Sequence, residues 1–334
     1  NELSLKNTSF NFFADTSDVL IKNIKSEMDG LLIKEGNLQL SRNEEINLKS
    51  DFRAEIRINK KNINNYLPIV KNIKLINQET NFNANVDNFL DVTFDKTFKV
   101  IDYNYTNKGK IIKSFFKLEK PIENSYLEKD INHLYSKNSN FNVRYASNEK
   151  NHIYISGVYS IDDKKYQNYD LKNDFFRETS NINLDFEFSE ELNFNLINYK
   201  KDDGKDAKIF LNVQTKKDLL NLKELKYTEN RNLIFIEKLK INKQNLSSLK
   251  KIKVKTFNKN ELKNDFTLDF GKKINIFGNR YDATNINKLL NQKSQNSILK
   301  KISKDIDINL KNIDTPLSKK LMNFRLIGVM EKGK

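Results

Sequence analysis

A two-residue hydrophobic period limits this chain more than any other feature. In Asn181-Ile182-Asn183-Leu184-Asp185-Phe186-Glu187-Phe188 every second side chain is apolar. An extended backbone turns such side chains to one face and the intervening polar ones to the other. The pattern continues through 192–196 and recurs at 46–48, 52–58, 82–86, 141–145, 209–213, 252–254, 266–270 and 274–276. Buried parallel strands would read as unbroken Val/Ile/Leu runs. Many short alternating segments imply antiparallel meanders with one wet face and one dry face.

Asn107-Lys108-Gly109, Asp202-Asp203-Gly204 and Phe270-Gly271-Lys272 carry turn composition. Helices are few. The best candidate spans about 282–293, with Asp282 as N-cap and Ala283, Ile286, Leu289 and Leu290 on one stripe. Shorter helical candidates lie at 61–67, 217–223 and 297–302. Residues 124–140 are the most polar and least periodic, and form a candidate loop or boundary between β segments 1–123 and 141–334. The same strand grammar resumes on both sides, so one continuous groove fits as well as two segments. The chain opens on Asn1 and reads as a piece of something longer.

Chemistry is sparse. With no Cys there is neither a disulfide nor a thiolate metal site. His133 and His152 are the only histidines, too few for a His-based metal centre or an expected Ser/His/Asp triad. The Gly-x-Gly-x-x-Gly, phosphate-loop and Gly-x-Ser-x-Gly patterns are absent. Glu190-Glu191 and Asp202-Asp203 fit a solvated strand face or turn. No cofactor, no metal and no enzymatic activity are expected.

The net charge of +15 raises the question of a nucleic-acid or anionic-membrane surface. Lys, Asn, Ile and Phe are inflated together, as AT-rich coding produces without selection for a partner. Lys also outweighs Arg, the better phosphate reader. Residues 110–117 interleave basic and aromatic side chains, as single-strand binders do. An amphipathic strand written in Lys-rich code gives the same pattern, so nucleic acid is not an expected partner.

A one-sided sheet needs its apolar face covered by helices, a second sheet, closure or a ligand. Helices are too few, and 9 Gly with 3 Pro argue against a turn-dense sandwich. The expected fold is mainly β: a long twisted antiparallel sheet curled into an open apolar groove, with a few short helices.

Certain stretches resemble the AsmA-like proteins of Gram-negative envelopes. They are the strand–turn–strand of 24–40 ending Leu31-Leu32-Ile33-Lys34-Glu35-Gly36-Asn37-Leu38-Gln39-Leu40, the run 233–249, Asn264-Asp265-Phe266-Thr267-Leu268, and Ile274-Asn275-Ile276-Phe277-Gly278-Asn279-Arg280-Tyr281-Asp282-Ala283. The resemblance is most specific over about 230–295. It implies a β-groove that binds or conducts phospholipid, or another acyl-chain lipid, between inner and outer membranes, or that aids outer-membrane assembly. It implies a periplasmic location, an inner-membrane anchor in the parent protein that this chain lacks, and envelope proteins as partners at the far end. The implied groove lining is Ile182, Leu184, Phe186, Phe188, Phe266, Leu268, Phe270, Ile274 and Ile276. Gly278 is carried over as a bend in the sheet and Asp282 as a helix cap.

Two alternatives belong to other classes. An outer-membrane barrel would turn apolar residues outward in segments of about ten between aromatic girdles. The absence of Trp and the irregular segment lengths oppose it. A β-rich binding module, an adhesin or a nucleic-acid platform, is the other.

Overall fold

The computed structural model describes residues 4–67, 77–243, 245–285, 303–317 and 320–331. The protein is mainly β: nineteen strands are assigned to one mostly antiparallel sheet that is not closed into a barrel. The chain divides into two compact units, residues 1–122 with 130–176, and residues 123–129 with 177–334.

The first unit is an antiparallel meander in chain order: β1 (Lys6–Ala14), β2 (Asp18–Met28), β3 (Leu31–Arg42), β4 (Ile46–Ile58), β5 (Asn81–Phe94), β6 (Val100–Ile122), β7 (Ile131–Ala146), β8 (Asn151–Ser160) and β9 (Gln167–Phe176). Directly paired residues share a face. One such row runs Ser26, Ile33, Ala54, Val86, Gly109, Phe141, Ile155 and Leu171. Its small members make room for large neighbours: a Cβ on Gly109 would lie 2.8 Å from Cζ of Phe141. Polar groups interrupt this face. Asn88 pairs with Asn107, and buried Ser114 pairs with Ser136.

The second unit contains β10 (Thr179–Phe188), β11 (Leu192–Phe194), β12 (Tyr199–Lys201), β13 (Ala207–Lys216), β14 (Leu219–Glu229), β15 (Asn232–Asn242), β16 (Asn245–Ser248), β17 (Lys251–Asn258), β18 (Glu261–Phe270), β19 (Ile274–Asp282), β20 (Lys304–Asp314) and β21 (Lys320–Met330). Antiparallel pairing links β10, β13, β14, β15, β17, β18 and β19 in turn, with β16 folding back on the end of β15. β19 then pairs with β20 in parallel, and β20 with β21 antiparallel. The parallel pair departs from the all-antiparallel expectation. Its long connection supplies the crossover that parallel strands require. Ion pairs clip it at both ends, Lys273 to Asp307 at 2.9 Å and Arg280 to Asp314 at 2.8 Å.

Several local expectations change. Residues 217–223 are not helical: Lys217 and Asp218 are a two-residue turn, with Lys217 at φ 49°, and β14 begins at Leu219. Pairing with β13 and β15 overrides the helical spacing of those leucines. Asn107-Lys108-Gly109 lies inside β6, where the missing Cβ of Gly109 admits Phe141 rather than making a turn. Of 124–140, residues 131–140 are already β7. A bulge near Asn138 (φ 48°) breaks their alternation and hides the strand. Residues 192–196 are not a simple continuation of β10: β11 is followed by a 3-10 turn at Asn195–Ile197. The 61–67 candidate contains a 3-10 turn at Ile63–Asn65. Positions 286–293 and 297–302 lie outside the described residues, so of the 282–293 helix only the start is seen. Asp282 ends β19 there, and 283–285 are non-helical.

Candidate functional site: a one-sided apolar ladder

The second unit's register builds a continuous apolar row. Leu184 pairs with Leu211, then Leu225, Ile236, Ile252, Leu268, Ile276, Ile308 and Leu326 follow across nine strands. Each pair places its two side chains on one face. The row one residue away points oppositely and reads Asn183, Asn212, Glu224, Glu237, Lys251, Asp269, Asn275, Asp307 and Ile327. Alternation written into single strands thus becomes, through register, one oily face and one mainly polar face, the latter interrupted by Phe210, Phe235, Phe277 and Ile327.

All nine expected lining residues fall on this oily face. Ile182, Leu184, Phe186 and Phe188 lie on β10; Phe266, Leu268 and Phe270 on β18; Ile274 and Ile276 on β19. They do not share one environment. Phe188 and Ile274 are buried and the other seven are half-buried. A second row runs from Phe186 through Ile209, Tyr227, Ile234, Val254 and Phe266 to Gly278. The segment carrying β11, the 3-10 turn and β12 covers it. Leu192, Ile197 and Tyr199 form a buried cluster there with Phe188, Ala207, Tyr227 and Val254, against which Phe186 and Phe266 pack. Those phenylalanines therefore serve a local core. Leu184, Leu211, Leu225 and Leu268 lie outside every buried cluster of the described residues.

Polar anchors hold the covering hairpin. The buried Asn264 amide donates to the Ile197 carbonyl at 2.7 Å and to Thr256 Oγ1 at 2.8 Å, and its oxygen accepts from the Asp282 N–H at 2.9 Å. Tyr281 donates its hydroxyl to the Leu196 carbonyl at 2.9 Å. Lys201 is buried, and its ammonium donates to the carbonyls of Ser189 at 2.6 Å and Glu190 at 2.7 Å. Such bonds offset the cost of burying a charge. The Tyr199 and Tyr227 hydroxyls lie 2.8 Å apart, and Tyr199 donates to buried Glu229 at 2.8 Å. Burial raises both phenols above their ordinary range.

Gly278 sits beside a bulge that leaves Asn279 between the paired positions 278 and 280. A Cβ there would lie 2.6 Å from Phe266 Cα, so the two backbones approach only because the residue is glycine. Asp282 accepts from the Thr284 N–H at 3.1 Å and from the Asn198 amide at 3.0 Å. Its carboxylate therefore ties the hairpin to the end of β19 while facing the turn that follows. Among the described residues no group of His, Asp and Glu has metal-site geometry, and no helix is long and apolar enough to cross a membrane.

The covering hairpin escaped the sequence, because 192–196 alternates like a strand. The inner ladder members Leu211 and Ile252 sit in segments whose alternation was legible, whereas Leu225 and Ile236 emerge only from register. Comparison with protein-family models, with curated proteins and with solved structures finds no match.

Proposed function

We propose that this chain is a lipid-binding, lipid-conducting β segment, with acyl chains lying along the ladder from Leu184 to Leu326. On this reading it belongs to an AsmA-like envelope protein that moves phospholipid between inner and outer membranes or aids outer-membrane assembly. Its place would be the periplasm, with the parent protein anchored in the inner membrane and envelope partners at the far end. One observation supports the reading above others: a nine-strand apolar row of which Leu184, Leu211, Leu225 and Leu268 lie outside every buried cluster of the described residues. Each methylene fully buried contributes about 0.8 kcal/mol and one covered on a single side less, so an acyl chain of a dozen or more carbons is long enough to bind measurably.

Native mass spectrometry of the chain purified from a Gram-negative host tests this. Phospholipid masses that persist through desalting are expected, together with saturable binding of a fluorescent fatty acid. A lipid-free chain that also leaves the probe unbound overturns the proposal.

A further inference from the structure

One end of the second unit carries a cleft of about 540 Å³ with a pronounced charge bias. Its lining includes Lys200, Lys201, Lys205, Arg231, Lys259 and Lys263 against two carboxylates, Asp202 and Glu229. Most of these charges are already engaged. Lys200 pairs with Glu191, Lys205 with Asp202 and Lys263 with Glu261, while Lys201 is turned to backbone carbonyls. Glu229 accepts from Tyr199, Asn230 and Asn232 and is occupied inward. Among the described residues no carboxylate lies within ion-pair distance of Arg231 or Lys259.

Arg231 is held through its side chain and Lys259 through its backbone. Arg231 sits in the turn between β14 and β15, its guanidinium carbon 4.1 Å from the centre of the Phe257 ring. This contact with the ring restrains the guanidinium before any ligand arrives. Lys259 occupies the turn between β17 and β18, where it and Asn260 both have positive φ, 45° and 70°. That is the geometry of a tight hairpin turn. The amides of Asn230, Asn258 and Asn260 line the same cleft. A phosphate group offers more acceptor oxygens than a carboxylate and can meet the fork, the ammonium and an amide together.

We propose that this cleft binds a phosphate-type anion, with Arg231 and Lys259 as its ligating cations. The anion could be a free phosphate ester or the phosphodiester of a lipid headgroup. Only the headgroup version rests on the acyl-chain reading above.

The test uses the whole chain, Arg231→Gln combined with Lys259→Gln, and a control that removes the same charge elsewhere, Lys226→Gln with Lys253→Gln. The control lysines are exposed and on the face opposite the ladder. Titration with inorganic phosphate should show saturable binding by the parent and the control. The cleft variant should bind about tenfold more weakly or worse, the scale of losing two charge-assisted contacts, with an unchanged far-UV spectrum. Phosphatidylcholine vesicles with and without phosphatidylglycerol then separate the sources. Retention by anionic vesicles that the cleft variant loses assigns the headgroup; phosphate binding without vesicle preference assigns a soluble ester. Absent phosphate binding by the parent, or equal losses in both variants, overturns the proposal. If acyl lipid still co-purifies in that case, the cleft fails and the groove reading stands.

Discussion

The buried side-chain amide of Asn264 bonds the carbonyl of Ile197, 67 residues earlier in the chain, at 2.7 Å. Together with its bonds to Thr256 and Asp282 it fastens the covering hairpin to β18 and β19. Asn264→Ala leaves the Ile197 carbonyl and the Asp282 N–H buried without that partner, at about 1–3 kcal/mol each. A loss of roughly 3 kcal/mol is expected in urea unfolding. Amide exchange at 192–201 should accelerate more than at 207–216, and equal protection in both would refute the anchoring role.

Alkaline conditions probe the pair formed by Tyr199 and Tyr227. Burial is the main cause that raises both phenols in the folded chain; the hydrogen bond between them raises Tyr199 further and offsets part of the rise at Tyr227. The folded state therefore holds two protons that the unfolded chain releases near pH 10. Stability is complete below that pH and falls above it, by about 1.4 kcal/mol per pH unit for each tyrosine. Unfolding followed against pH should steepen above about pH 10, and Tyr199→Phe with Tyr227→Phe should flatten the slope. An unchanged slope in the double variant would contradict this account.

Gly278 and Gly271 make a contrast within one hairpin. A methyl on Gly278 meets the backbone of Phe266 at 2.6 Å, whereas the nearest atom to one on Gly271 is 3.9 Å away. Gly278→Ala should cost roughly 3 kcal/mol, the upper range for overpacking, because backbone cannot move aside like a side chain. Gly271→Ala should stay within about 1 kcal/mol. Equal thermal midpoints for the two variants would remove the close-approach argument.

Lipid binding is best probed away from the hairpin cluster. Phe186 packs against that cluster, so Phe186→Asp strikes a core as well as the oily face. Leu184→Gln and Leu268→Gln change the same ladder outside it. Each removes an apolar contact of about 1.5–3 kcal/mol at full burial, so a five- to tenfold weaker fatty-acid affinity is expected for half-buried positions. Asn183→Ala and Thr267→Ala, on the polar face, should leave affinity unchanged. Equal effects on the two faces would dissociate lipid from the ladder.

Alternation by itself determined that this chain is built of strands, and which residues within each strand share a face. Both follow from local backbone geometry, since a two-residue period admits no other regular structure. It could not determine which strands meet. The row from Leu184 to Leu326, the parallel union of β19 with β20 and the identity of Leu225 and Ile236 as ladder members all depend on pairing between distant segments. Bulges compound the difficulty: near Asn138 one extra residue erases the period over a real strand. Tertiary structure alone also separated Leu192, Ile197 and Tyr199 from the sheet and laid them over Phe186 and Phe266. Leu192, Phe194 and Leu196, apolar at alternate positions, fit a strand or a short cover equally well. Only long-range bonds such as that of Asn264 to Ile197 decide between them.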